Sequence, residues 1–273
     1  MKTLRTIASV RDALRPLRAA GTIGLVPTMG ALHEGHLALF RTARQACDIV
    51  VASLFVNPTQ FGDPADLAAY PRDERRDEEA AIRAGVDFLF APSVEEMYPP
   101  EYATWVEAEG AARGLEGDFR PGHFRGVATV CLKLFTIVAP HFAFFGQKDA
   151  QQVAVVAQMV HDLNVDVEIR VVPTVRDVDG LALSSRNARL TPDERQRALA
   201  IPRALDAGLA AARAGTDPVA AAQAVLTGLD EDDVVEYVAV ANLNGHPTLA
   251  IAARVGRTRL IDNVRLDDGK SER

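Results

Sequence analysis

The chain has 273 residues, enough for one large α/β domain followed by a smaller one. Its 48% hydrophobic and 25% charged content is that of an ordinary globular protein and excludes the disordered, collagen-like and disulfide-scaffold classes. With 37 acidic against 30 basic residues the formal net charge is −7, which argues against a broad nucleic-acid surface and leaves room for a local basic pocket that takes an anion.

The N-terminus runs into an amphipathic stretch rather than a cleavable apolar one, and no apolar run approaches the ~20 residues that span a bilayer. Cys47 and Cys131 are the only cysteines and form no C-x-x-C pair, so a reducing compartment, the cytoplasm, is expected and a structural zinc site is not. From residue 22 to about 172, short β-rich apolar runs alternate with helical periods. The pattern predicts strands over 22–26, 49–56, 86–90, 141–145 and 167–172, and helices over 37–46, 73–84, 127–138 and 150–163. This alternation is the signature of an α/β, Rossmann-like, doubly wound parallel sheet, here assigned to residues 1–174. After Pro173 the alternation stops. A helix over 192–213, a second from Asp217, and strands over 234–240 and 258–261 predict a smaller α+β domain over 175–273. The Ala-rich stretch 207–224 reads as a simple solvent-facing helical pair.

Ligands of open α/β sheets bind beyond the carboxyl ends of the strands, so the loops after the predicted strands carry the argument. The first reads Pro27-Thr28-Met29-Gly30-Ala31-Leu32-His33-Glu34-Gly35-His36 and holds two of the six histidines. Gly30 and Gly35 allow close backbone approach, and the helix that follows offers unpaired N–H groups and its positive dipole end, an anion site. His33 and His36, one turn apart, face one side and suit hydrogen bonding to phosphoryl oxygens. The plain alternative is a pair of histidines that cap or pack; their placement between two glycines after a strand favours function. A zinc reading fails on spacing, because the metalloprotease pattern sets two residues between Glu and the second His.

The second loop places Asn57 and Gln60 at a strand end, where amides suit hydroxyls and carboxylates. A simple Asn57-Pro58 turn explains the first residue but not the second, and both readings stand. Asp73 and Asp77, one turn apart in a charge run, have the spacing to hold Mg²⁺ through water, although such runs are usually solvated helix faces. The segment 117–126, with Gly117, Gly122 and Gly126 among Arg120, His123 and Arg125, reads equally as a closing lid or an ordinary connector. Gly146-Gln147-Lys148-Asp149 follows another strand; Lys148 is one of only four lysines against 26 arginines and suits a phosphate as a point charge, the alternative being a loop lysine paired with Asp149. Finally, Leu183-Ser184-Ser185-Arg186 offers two hydroxyls and a guanidinium for polyphosphate, or else a serine turn before a helix capped at Thr191. No G-x-S-x-G elbow supports a serine nucleophile.

Taken in order, PTMGALHEGH, SLFVNPTQF, RPGHFRGVATV, FGQKDAQQ and LALSSRN resemble the pantoate–β-alanine ligase family over nearly the whole chain. That family is part of the nucleotidylyl transferases with a HIGH-like motif, here His33 to His36, and a mobile serine/basic loop, here Ser184-Ser185-Arg186. The resemblance implies ATP-dependent condensation of (R)-pantoate with β-alanine to pantothenate, with AMP, pyrophosphate and a pantoyl adenylate between. It implies ATP against Pro27 to His36, Gly146 to Asp149, the backbone of Val175, and Leu183 to Arg186. Pantoate falls to Gln60, Gln152 and Asn57, and β-alanine to Gln60. His36 resembles the proton donor, with His33, Lys148 and Arg186 beside it at the phosphates. Mg²⁺, with Asp77 as its candidate ligand, and a homodimer are implied as well. The partners are then small molecules, with neither nucleic acid nor membrane among them, and 117–126 is the candidate shield of the reactive intermediate. Leu183 stands where the family commonly has Met and Gln147 where it has Glu. A dinucleotide-forming adenylyltransferase and a nucleotide-binding module without turnover are the rival readings.

Overall fold

The computed structural model describes residues 1–230 and 232–267 and divides the chain into two compact units: Met1–Gly146 with Gln151–Val172, and Gln147–Ala150 with the chain from Pro173 onward. The sequence places one boundary near residue 175; the structure moves it to Pro173 and adds the short Gln147–Ala150 segment to the second unit.

In chain order the first unit holds β1 (Lys2–Leu4), α1 (Ile7–Arg18), β2 (Ile23–Thr28), α2 (Glu34–Ala46), β3 (Ile49–Leu54), α3 (Pro64–Ala68), α4 (Glu74–Arg83), β4 (Phe88–Phe90), α5 (Val94–Met97), α6 (Glu116–Phe119), α7 (His123–Val138), β5 (Phe142–Gly146), α8 (Ala150–Asp162, entered from the second unit) and β6 (Glu168–Val172). Its six strands are all parallel, in the order β1-β4-β3-β2-β5-β6. Both faces are covered, and successive residues alternate between two cores. Ile23, Leu25 and Val51 pack with Leu14, Val127 and Val155 on one face, while Val26, Val50 and Ala52 pack with Phe40, Ala43 and Ala81 on the other. The chain runs outward from β2 through β3 to β4, then returns to place β5 on the other flank of β2, so the topological switch point lies between β2 and β5.

The differences from the sequence reading have local causes. β2 extends through Pro27 to Thr28: pairing with β5 stops at Leu25↔Ala143 while pairing with β3 continues to Thr28↔Leu54. Pro27 thus sits where one neighbour alone is paired, which a residue without an N–H tolerates. The N-terminal amphipathic stretch is α1, capped by reciprocal Thr6 and Ser9 bonds and buried at Val10 and Leu14, after the three-residue edge strand β1. α7 starts at His123 rather than at residue 127, because the apolar stripe Phe124, Val127, Ala128, Cys131, Leu134 and Phe135 begins one turn earlier.

In the second unit α9 (Pro192–Ala198), α10 (Ala200–Arg213) and α11 (Pro218–Leu226) precede an antiparallel sheet of β7 (Val234–Leu243), β8 (His246–Val255) and β9 (Thr258–Arg265). The single helix expected over 192–213 breaks at Leu199, since Pro202 has no N–H to return to the Ala198 carbonyl. The sequence pattern predicts no strand at β8 because its Ala-rich centre lacks β-branched runs, yet the Asn244-Gly245 pair joins it to β7 in a two-residue hairpin. The expected solvent-facing pair over 207–224 is corrected too. Within it Gly208 and Ala222 are buried, and Leu209, Ala212 and Val219 pack against the core that includes Leu249, Ile251 and Ala253 of β8. Among the described residues no helix is long and apolar enough to cross a membrane.

Candidate active site

The loop that leaves β2 is held in shape by α4. Gly30 and Ala31 both adopt left-handed backbone (φ 86° and 51°), which turns the N–H groups of Ala31 and Leu32 toward one carboxylate. Asp77 accepts both, Oδ2 from Ala31 N at 2.9 Å and Oδ1 from Leu32 N at 2.8 Å. A Cβ at position 30 would stand 2.8 Å from Asp77 Oδ2, so only glycine fits. Burial pushes the Asp77 carboxyl above its ordinary pKa, and the two N–H bonds pull the other way. Asp77 is 3% exposed, which replaces the solvated-face reading, and each of its oxygens accepts one loop N–H. Asp73 instead caps α4, accepting from Arg76 N. Among the described residues no group of three His, Cys, Asp or Glu side chains is placed to hold a metal ion.

His33 and His36 form a capping box at the start of α2. His33 Nδ1 accepts from Gly35 N at 3.2 Å, and His36 Nδ1 accepts from His33 N at 3.3 Å, with ring centroids 4.2 Å apart. A nitrogen that accepts carries no proton, so in each neutral ring the proton is on Nε2. Capping and function, opposed in the sequence reading, are therefore compatible on different ring atoms. The open N–H groups expected there are largely engaged: Gly35 N by His33 Nδ1, and His36 N by the His33 carbonyl at 2.8 Å. The backbone at this helix start is thus tied up in the cap itself. Glu34 pairs with Arg41 at 2.5 Å.

At the end of β3, Pro58–Gln60 forms a 3-10 turn around Asn57, which is 1% exposed. Asn57 Nδ2 donates to Gln60 Oε1 (3.0 Å) and to the Gly126 carbonyl (3.1 Å). Its Oδ1 accepts from Thr59 N (3.3 Å), Thr59 Oγ1 (2.9 Å) and Tyr98 Oη (3.0 Å). With every amide valence engaged, Asn57 holds Gln60 rather than standing ready as a ligand itself, a correction to its expected contact with pantoate. Gln60 is buried, and its Nε2 lies 3.1 Å from Met29 Sδ, so the structure brings the β3 turn against the β2 loop.

The segment 117–126 is scaffold on the same turn rather than a connector. A Cβ at Gly126 would lie 2.5 Å from the Thr59 carbonyl oxygen, so α7 approaches this turn as closely as a backbone can. His123, also buried, has Nδ1 2.8 Å from the Gln60 carbonyl oxygen. Upstream, Gln151 accepts from Glu116 N and donates toward the carbonyls of Ala111, Arg113 and Gly114. Gln152, the neighbour expected to meet pantoate, is half-buried on α8. Sequence reasoning misses Gln151 and Tyr98; a Gln-Gln pair opening a helix is the available signal for the first.

In the second unit, Gln147–Asp149 forms a 3-10 turn directly after Gly146. Asn263 on β9 donates to the carbonyls of Gln147 (3.0 Å) and Lys148 (2.9 Å) and accepts from Gln147 Nε2 (3.1 Å). Gln147 Oε1 in turn accepts from Arg265 at 3.0 Å. Lys148 Nζ is 3.6 Å from Asp149 Oδ1 and its side chain is 20% exposed, so the alternative pairing is present in this state. Next to Asn263, Asp262 receives Arg176 through both carboxylate oxygens at 2.6 and 3.1 Å; burial raises the Asp262 pKa while the guanidinium lowers it. The Val175 carbonyl accepts from Leu183 N, and Ser184 caps the 3-10 turn Ser185–Arg189 through a bond from Arg186 N at 3.2 Å. Asn263, Arg265 and the Arg176–Asp262 pair are invisible in the sequence, where they read as ordinary strand and loop residues.

A doubly wound parallel sheet with a glycine-turned, twin-histidine loop leaving its switch-point strand defines a Rossmann-like α/β protein of the nucleotide-binding type. The family profile described as pantoate-beta-alanine ligase matches residues 2–265. The chain is 53% identical to the pantothenate synthetase of Moorella thermoacetica, with 98% of this chain and 99% of the relative covered. Its structure is similar to that of a pantothenate synthetase from Thermus thermophilus (TM-score 0.92, 45% identity, covering 97% of this chain and 99% of the other). It is also similar to a pantoate-beta-alanine ligase from Francisella tularensis complexed with beta-gamma ATP and beta-alanine (TM-score 0.83, 34% identity, covering 99% and 100%). The chain belongs to the pantoate-beta-alanine ligase family.

Proposed function

We propose that this chain joins the carboxyl group of pantoate to the amine of β-alanine at the expense of ATP, releasing AMP and pyrophosphate through a bound pantoyl adenylate. Family membership supports the reaction, and one observation supports its location: the buried Gln60 amide, locked by Asn57, lies against Met29 of the twin-histidine loop. An amide nitrogen carries two hydrogens, so Gln60 has a donor for a hydroxyl or carboxylate of the acid substrate next to the loop that takes the nucleotide.

In the first half-reaction a pantoate carboxylate oxygen attacks the α-phosphorus, a P–O bond forms, and the bond to pyrophosphate breaks. Negative charge grows on phosphoryl oxygens, and the Nε2–H groups of His33 and His36 donate to it, His36 being the proton donor of the pair. Lys148 and Arg186 add positive charge to the departing pyrophosphate, and Val175, Leu183, Ser184 and Ser185 complete the nucleotide contacts. In the second half-reaction the neutral amine of β-alanine attacks the acyl carbon, the C–N bond forms, AMP leaves, and the amine surrenders a proton. Gln152 joins Gln60 at pantoate, and Gln60 also serves β-alanine. Mg²⁺ enters with the nucleotide as MgATP, and Asp77 shapes the loop that receives it through the Ala31 and Leu32 N–H groups. A cytoplasmic homodimer completes the proposal, on the family resemblance and on two buried, unpaired cysteines.

The test is to incubate the purified chain with ATP, Mg²⁺ and pantoate, with and without β-alanine, and to identify the products by mass. Equal amounts of AMP, pyrophosphate and pantothenate, formed only with both substrates, are expected. A nucleotide joined intact to another acceptor would make the chain a dinucleotide-forming adenylyltransferase instead.

A further inference from the structure

His123 has an unusually determinate environment. A carbonyl oxygen can only accept, so the 2.8 Å contact with the Gln60 carbonyl puts a hydrogen on Nδ1. A guanidinium can only donate, so the Arg120 Nη1 contact at 3.2 Å makes Nε2 an acceptor. The ring is thus a neutral Nδ1–H tautomer, opposite to the Nε2–H form of His33 and His36. Arg120 also extends Nη2 to the same carbonyl at 3.5 Å and lies 3.8 Å from the buried Glu116 carboxylate. The Gln60 carbonyl closes the 3-10 turn and has no helical successor to bond, so these donors are what hold it.

We propose that His123 is a positioning residue for pantoate: by donating Nδ1–H to the Gln60 carbonyl it fixes the backbone from which the Gln60 side chain reaches the substrate. Asn57 fixes the same residue through its side-chain oxygen, so Gln60 is gripped at both ends, at 3.0 Å by Asn57 Nδ2 and at 2.8 Å by His123. This inference rests on the reading of Gln60 as a pantoate ligand. It goes beyond that reading in making the acid site depend on the tautomer of a histidine that acts through the Gln60 backbone.

The experiment compares His123→Asn with His123→Gln. The Asn amide nitrogen stands where Nδ1 does and can donate to the Gln60 carbonyl, whereas the Gln amide lies one bond farther out. In pantoate-dependent ATP–pyrophosphate exchange, His123→Asn is expected to keep the KM for pantoate within about threefold of the parent protein. His123→Gln is expected to raise that KM about tenfold, with the KM for ATP unchanged in both. In the substrate-free parent protein, ¹⁵N chemical shifts are expected to show His123 protonated at Nδ1 and bare at Nε2. Equal pantoate KM values for the two variants, a parallel rise in the KM for ATP, or an Nε2–H tautomer would each overturn the proposal. Absence of any pantoate-dependent exchange in the parent protein would instead overturn the reading of the substrate, and the proposal with it.

Discussion

His36 reaches back one helical turn to accept the backbone N–H of His33, and His33 in turn caps Gly35, so two imidazoles close the start of α2 through their Nδ1 atoms. The arrangement orients both rings and fixes both tautomers before any substrate arrives. Preorganised donors of this kind need no rearrangement as charge develops.

This division of labour separates cap from chemistry. His36→Asn keeps a side-chain acceptor for His33 N while deleting the Nε2–H donor. The variant should fold with nearly parental thermal stability and lose adenylate formation by roughly 100- to 1000-fold. His36→Ala should show the same loss together with about 0.5–2 kcal/mol of destabilisation from the missing cap. Single-turnover adenylation and urea denaturation, run side by side, read the two effects; a full adenylation rate in His36→Asn would make the residue a cap only.

Asp77 acts through the shape of the loop. In Asp77→Asn the amide NH₂ must face one of the two N–H groups that the carboxylate now accepts. The variant should lose about 1–3 kcal/mol of stability and bind ATP more weakly. Urea unfolding and nucleotide titration check both. A variant of parental stability would mean that the Ala31 and Leu32 amides find other partners.

Lys148 and Asn263 should share a phenotype by different routes. Lys148→Ala removes a side chain paired with its neighbour Asp149 at 3.6 Å and should abolish adenylation with little change in folding. Asn263→Ala releases the carbonyls of Gln147 and Lys148, so it should lower the exchange rate in part while leaving the charge of Lys148 intact. Exchange at the parental rate in Asn263→Ala would show that the turn holds its shape without β9.

Tyr98 gives a pH signature. Burial pushes its phenol from an ordinary value of 10.0 up to about 12, and the Oη–H donates to Asn57. The folded state therefore prefers the protonated phenol: its stabilising contribution is complete below pH 10 and is lost as pH rises toward about 12. Urea midpoints measured across that window should fall more steeply for the parent protein than for Tyr98→Phe, and ultraviolet titration should show a late-ionising tyrosine that Tyr98→Phe removes.

The parallel sheet is legible in the sequence because its strands, buried on both faces, are continuous apolar runs between helical periods. Residues 141–145 and 167–172 emerge as β5 and β6 with ends shifted by a residue. The loops after β2, β3 and β5 are legible as well, since Gly, His, Asn, Gln and Lys interrupt an otherwise apolar pattern at strand ends. β8 is not, because alanines in a central strand acquire their meaning from the helices that cover them. Asp77 misleads for a related reason. A carboxylate inside the run Asp73 to Glu79 has the spacing of a solvated face, and only the fold of the Gly30-Ala31 turn supplies two N–H donors to bury it.

Composition, periodicity and motif order by themselves determined the α/β class, a change of architecture near residue 175, the family resemblance and the loops proposed to carry chemistry. These are properties of local pattern, where residue type and spacing suffice. The tertiary structure alone decided which atom of each side chain is spent on holding the local fold. Whether an imidazole uses Nδ1 or Nε2, whether Asn57 is a ligand or a brace, and whether His123 guards a lid or grips Gln60 depend on donors and acceptors brought from 2 to 69 residues away. Hydrogen-bond valence is exhausted in three dimensions, and a sequence shows only the valence each residue starts with.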